Sequence, residues 1–171
     1  MTMLYYVGLI SVVAIERLIE LVVSQHNWAW SRDRGATEFG ARHYPMMVVL
    51  HAGLLAGCVA EVVGLHRTFM AWLGWPMLAL VIGAQALRWW CITTLGPQWN
   101  TRVVVIPGAQ RVTAGPYRWI PHPNYVAVVV EGIALPLVYS AWITALVFTV
   151  LNALLLHTRI TIENNALAGL S

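Results

Sequence analysis

YPMMVVLHAGLLAGCVAEVVGL, residues 44–65, is the stretch that decides the fold. Only His51 and Glu61 interrupt its apolar run. A helix needs about 20 such residues to cross the hydrocarbon layer of a bilayer. Working outward, four more apolar runs lie at residues 3–24, 71–95, 124–139 and 141–157. The last two are shorter, and Pro136 with Ser140 predicts a tight turn between them. Open sheet edges are not satisfied in lipid, so strands are not expected. The reading is an all-α integral membrane protein of about five transmembrane helices, the last two forming a hairpin.

Composition agrees. Hydrophobic residues make up 59% of the 171, and charged residues 10%. A soluble domain carries about 25% charge, so much of this surface must face lipid. The length allows one domain: three spans in residues 1–95, then a loop, hairpin and tail in 96–171. A net charge of +3, scattered along the chain, is too small to argue for a nucleic-acid partner, and none is expected. Cys58 and Cys91 both fall in apolar runs and read as core, since a disulfide framework or zinc site needs more ligands at tighter spacing. No metal is expected. The N-terminus lacks a basic leader and a small-residue cleavage site, and reads as a retained helix.

Arginine placement sets the orientation. Arg32, Arg34 and Arg42 lie in residues 25–43, and Arg102, Arg111 and Arg118 in 96–121, with Arg159 starting the tail. The opposite side holds only Arg67. Five spans then place the N-terminus outside and the C-terminus in the cytoplasm of a bacterial inner membrane. Most of the tryptophans sit near span ends, where interfacial belts account for them. Gly53 and Gly57 permit close helix approach, within the chain or between two copies.

Ionisable side chains within spans are costly and mark candidate sites. Glu16, Arg17 and Glu20 cluster on the first helix. His51 suits an interhelical hydrogen bond or a catalytic role, while Glu61 is expected at the outer interface. Gln85 and Arg88 are close on the third helix, and Arg88 is a candidate for holding an anionic group. Glu131 lies roughly 10 Å along the fourth helix from Asn124 and needs a partner. Arg159 and Glu163 are spaced to pair along one helix face.

The densest polar stretch is GPYRWIPHPNY, residues 115–125, directly before an apolar helix. Pro123 fits the first turn of that helix. The N–H groups of this turn, with the helix dipole, make a seat for a carboxylate or phosphate. No G-x-G-x-x-G follows a strand, so the soluble nucleotide-binding fold is absent.

Gly115-Pro116-Tyr117-Arg118, then His122-Pro123-Asn124-Tyr125, then Arg159 through Glu163 to Ala166-Leu167 resembles the isoprenylcysteine carboxyl methyltransferase family. The likeness covers about residues 95–167. Residues 95–101 (LGPQWNT), Pro107-Gly108 and the HPNY form look like a bacterial branch. Members of that branch accompany type III polyketide synthases and O-methylate long-chain alkylpyrones or alkylresorcinols. Two positions depart from the family pattern: Pro121 stands where Arg is common, and Asn164 where a second Glu is common.

The resemblance implies S-adenosylmethionine as cofactor, in a cytoplasmic pocket between the loop and the tail. Tyr117, Arg118, His122, Pro123, Tyr125 and Glu163 are its candidate ligands. Arg159 is the candidate stabiliser of an anionic acceptor, with Arg88 and Asn100 as further substrate contacts. Glu131 or His51 is the candidate base or orienting group. The implied reaction is O-methylation of a lipophilic acceptor. A prenylcysteine-like carboxylate is the alternative acceptor, and a non-catalytic transporter or sensor subunit the alternative class. The oligomeric state stays open.

Overall fold

The computed structural model describes residues 1–110 and 112–168, with side chains through Ala166. Arg111 and the side chain of Leu167 lie outside the described residues. Five long helices carry the chain: α1 (Met3–Arg32), α2 (Tyr44–Gly64), α3 (Ala71–Leu95), α4 (Pro123–Leu137) and α5 (Trp142–Ala168). By length and composition α2, α3 and α5 can each cross a membrane. At 15 residues, α4 falls short of a full span. Three charged residues, Glu16, Arg17 and Glu20, interrupt α1.

Two helices run further than their apolar stretches. No Gly or Pro follows Ser24 until Gly35, so α1 continues to Arg32 and turns residues 25–32 from loop into helix. Along this extension Asn27 Nδ2 donates to the Trp99 carbonyl at 2.8 Å. Ser24 Oγ donates to Asn100 Oδ1 at 2.8 Å and accepts from the Thr101 N–H at 3.0 Å. These bonds pin residues 96–101 against α1. Likewise α5 passes His157 and carries Arg159 and Glu163 into the loop region.

Two short strands form where none is expected. β1 (Thr37–Phe39) and β2 (Val103–Val105) pair antiparallel, with Glu38 opposite Val104. They join the two Arg-rich loops outside the apolar spans, where the penalty on open sheet edges in hydrocarbon does not apply. Arg102 reinforces the junction with a 2.9 Å ion pair to Glu38 and a position over the Tyr44 ring.

The α4–α5 hairpin turns at Ser140, whose φ of 60° is left-handed. The strain is offset by Ser140 Oγ donating to the Thr68 carbonyl at 3.0 Å and by Ala141 N–H donating to the Pro136 carbonyl. Glu61 sits one turn from the end of α2. It is buried, accepts from the Ile143 and Thr144 N–H groups at 3.2 and 2.7 Å, and pairs with Arg67 at 2.9 Å. The N-terminus of α5 would otherwise leave these donors unsatisfied in an apolar setting. Gly57 of α2 abuts Thr144 of α5, which places this small residue in internal packing.

The apolar core lies toward this same end. Tyr6, Ile10 and Val13 of α1 meet Leu54, Cys58 and Val62 of α2, with Leu135, Val138 and Phe148 from the hairpin. Cys58 and Cys91 are buried free thiols. Toward the Arg-rich end the helices enclose cavities instead.

Candidate active site

The site grows from the turn ahead of α4. Gly115 has a φ of 55°, and a Cβ there would meet Thr94 Oγ1 of α3 at 2.6 Å. Only glycine lets the loop lie this close to α3. The edge of Trp90 meets Trp119 nearby, with centroids 5.9 Å apart. His122 occupies the N-cap position of α4 without capping through its side chain, and Pro123 follows at the first turn. Pro123 carries no N–H and the Tyr125 N–H donates to the His122 carbonyl at 3.1 Å, so the Asn124 N–H is what the first turn can offer a ligand.

On this platform four side chains from two distant segments come together. The His122 ring stacks on Tyr125 at 5.3 Å between centroids. The Tyr125 hydroxyl donates to Glu163 and accepts from Arg159 Nε at 2.8 Å. His122 Nδ1 lies 3.6 Å from Glu163 Oε1. The expected Arg159–Glu163 pair along α5 does not form directly, because the Tyr125 hydroxyl stands between them. Arg159 also donates to the Thr101 carbonyl at 2.6 Å and to Met47 Sδ at 2.9 Å. Among the described residues, its hydrogen-bond partners are thus all neutral.

Two cavities adjoin this cluster. The smaller, about 130 Å³, is lined by polar groups of the loop and tail, including Asn100, Tyr117, His122, Pro123 and Glu163. Burial beside the Cys91 thiol pushes the Tyr117 phenol well above its usual range, so it stays a neutral hydroxyl. The larger, about 320 Å³, lies among the five helices, with Arg88 as the contribution of α3, and has mainly apolar walls such as Leu21, Val48, Leu55 and Val128. That volume is in the range of small-molecule sites. Trp99, Asn124, Tyr125 and Arg159 line both. Asn124 Oδ1 is buried there without a hydrogen-bond partner. Leu18 and Val48 line the larger cavity and are 62% and 39% exposed, so its mouth opens on the lateral apolar surface.

The remaining candidates fall in different places. His51 lines the larger cavity, and its Nδ1 lies 2.8 Å from the Met47 carbonyl. A carbonyl only accepts, so Nδ1 carries the proton and a neutral ring leaves Nε2 as an acceptor. Arg88 also lines this cavity, buried and paired with Glu131 at 2.7 Å. Glu131 lines neither cavity, because its Oε2 accepts from both Arg88 and Arg17. Ion pairing within the bundle, with Glu20 and Arg17 also paired, accounts for this carboxylate. Arg118 is exposed and lines neither cavity. Asn124, Thr101, Met47 and Asn152 were missed as lining residues. Asn124 lies inside the HPNY motif, and the others gave no local signal.

The sequence matches the isoprenylcysteine carboxyl methyltransferase family over residues 77–169, more than half its length. The chain belongs to this family. Family members are membrane-bound methyltransferases that use S-adenosylmethionine, which points to a lipid-like substrate. Among curated proteins, the Bacillus subtilis "Uncharacterized protein YpbQ" is 37% identical over 160 residues, spanning 93% of this chain and 94% of that one. A Haemophilus influenzae "Uncharacterized protein" is 27% identical over 140 residues, 80% of each chain. No solved structure matches.

The polar cavity fits the family's cofactor by the chemistry of its donor set. Glu163 supplies an accepting carboxylate, Tyr117 a neutral hydroxyl, and Asn124 its N–H at the start of α4 and a side-chain oxygen unpartnered among the described residues.

Proposed function

We propose that this protein methylates the acidic hydroxyl of a long-chain lipophilic acceptor, of the alkylpyrone or alkylresorcinol type, with S-adenosylmethionine as donor. The observation that carries this reading is the meeting of a polar and an apolar cavity at Asn124, Tyr125 and Arg159. A methyl donor rich in polar groups suits the first, and an acyl tail the second.

In the polar cavity, His122 and the first turn of α4 hold the cofactor's carboxylate, since helix N-termini favour anions. Glu163 accepts from its ammonium or ribose diol. Tyr117 and Tyr125 contribute hydroxyls, and aromatic faces attract a sulfonium as they do other cations. Pro123 shapes the turn, while exposed Arg118 adds positive charge to the loop ahead of α4. When bound, the cofactor supplies an electrophilic methyl group on sulfur.

Arg159 stabilises the anionic oxygen of the acceptor. Its neutral partners leave the cation's charge unbalanced by any direct carboxylate contact. An enolic pyrone or a carboxylic acid loses its proton readily and requires no strong base, whereas a resorcinol phenol needs more help. His51 Nε2 serves as an orienting acceptor. Arg88 faces the acceptor cavity, and Asn100 holds the loop between the two. The lateral mouth beside Leu18 and Val48 admits the tail from the lipid. The Arg-rich end faces the cytoplasm, following the positive-inside rule. A type III polyketide synthase is the source class for such acceptors.

The test is incubation of membranes holding the protein with methyl-labelled cofactor and a panel of alkylpyrones, alkylresorcinols and prenylcysteines. Label in the polyketide acceptors, lost in Arg159→Ala, is the expected result. Label confined to carboxylates transfers the assignment to carboxyl methylation. No label in any acceptor, with no saturable S-adenosylhomocysteine binding, removes the enzyme reading.

A further inference from the structure

The larger cavity has two polar levels. At the Arg-rich end stand Tyr44, Asn124 and Arg159. Deeper stand Arg17, Glu20, His51, Arg88 and Asn152. The same step separates the levels on separate helices: Tyr44 and His51 on α2, and Asn152 and Arg159 on α5, are each seven residues apart. On α4 the step of seven from Asn124 leads to Glu131, which anchors Arg88. Seven residues are about two helical turns, so each pair shares a face, roughly 10 Å apart along the axis. Leu21, Val48, Val128, Leu155 and Leu156 line the cavity as well and supply its apolar walls.

The deeper level does not satisfy itself. Asn152 is 5% exposed and lines the cavity, yet its side-chain amide bonds to no other described residue. Arg88 Nε has no hydrogen bond, its carboxylate neighbour Glu20 lying 3.6 Å away. His51 has one nitrogen committed to Met47, leaving the other. An amide that faces an apolar-walled cavity without a partner favours a polar occupant there. Both cations of this level already meet carboxylates, Arg17 and Arg88 each with Glu20 and Glu131, and Glu16 joins the network through Gln85. Cations already paired disfavour a further anion, and the site suits a neutral group that both donates and accepts.

We propose that the deeper level is a second recognition site, at which Asn152 hydrogen-bonds a neutral hydroxyl or carbonyl carried by the acceptor on the order of 10 Å from the methylated atom. This rests on the larger cavity being the acceptor site and narrows the acceptor to a chain with a mid-chain oxygen. His51 and Arg88 complete the site, while Leu155, Leu156 and Val128 pack the intervening methylenes.

The test compares two probes: a pyrone with a plain alkyl chain, and the same pyrone carrying one hydroxyl at that distance. Affinity of the purified protein in detergent is read by displacement of the radiolabelled plain-chain pyrone, which needs no methyl transfer. The hydroxylated probe is expected to bind about tenfold tighter, one well-made buried hydrogen bond. The preference is expected to fall to within about twofold in Asn152→Leu, with Asn152→Ala as the second variant should leucine prevent folding. Equal affinity for the two probes in the unaltered protein, or a preference that survives both substitutions, overturns the inference and leaves the acceptor reading standing. Binding of neither probe removes the acceptor reading itself, and this inference with it.

Discussion

Replacing Tyr125 by phenylalanine isolates the contact on which the site turns. The ring stays, so stacking on His122 and the approach of Arg159 at 5.6 Å to the ring centroid are kept. What is lost is one hydroxyl with two charged partners, Arg159 and Glu163. Hydrogen bonds to charged groups contribute about 1.5–3 kcal/mol each. Both partners are partly exposed and keep other contacts, Arg159 with Thr101 and Glu163 with His122. Those contacts and solvent offset part of the loss, leaving about 2 kcal/mol in the placing of the two charges. Converted to rate, this is roughly a thirtyfold fall in kcat/KM. The assay is methyl transfer by purified protein with labelled cofactor, alongside thermal unfolding of the same preparation. A fall of that order with an unchanged melting midpoint is expected. A kcat/KM within about twofold of the unaltered protein refutes the reasoning, because the Tyr125 hydroxyl would then hold neither charge in a productive place.

Two further outcomes concern the scaffold. Glu61→Ala removes the acceptor of the Ile143 and Thr144 N–H groups and is expected to cost about 2 kcal/mol of stability. Thermal unfolding in detergent reads this, and an unshifted midpoint contradicts the capping role. Glu131→Leu leaves Arg88 and Arg17 short of a carboxylate, at an expected cost of about 3–5 kcal/mol. The double variant Arg88→Leu, Glu131→Leu is expected to recover much of it, since Arg17 retains Glu20. A double variant as unstable as the sum of the two single changes argues against a buried charge balance.

Much of the architecture is legible from local pattern. Five apolar runs became five helices, with the turn near Ser140 and the polar stretch ahead of Pro123 in their expected places. Helix ends were less legible, because polar residues continue a helix as readily as apolar ones when no breaker intervenes. That is how α1 runs on to Arg32 and α5 to Ala168. The ribbon of β1 and β2 was hidden for a different reason. Three-residue strands carry no period, and their pairing depends on where α1 and α3 deliver two separate loops. In the candidate site, the residue types near His122 and Glu163 were visible as motifs. Their partners were not: Glu61 caps the N-terminus of α5, and Arg159 reaches Tyr125, Thr101 and Met47 rather than Glu163.

By itself, the order of residues determined that the chain builds apolar helices and gathers most of its arginines in the segments 25–43 and 96–121 and at 159. Hydropathy over twenty positions and the chemistry of a short Pro- and Tyr-rich loop are properties of neighbouring residues. Which charged groups neutralise one another, and which face a cavity, was decided only by tertiary packing. An ion in an apolar interior takes whatever partner the facing helix offers within a few ångströms, and sequence distance does not enter that choice. Arg17 and Glu131, 114 positions apart, are joined on that principle, while Arg159 and Glu163 on one turn are not.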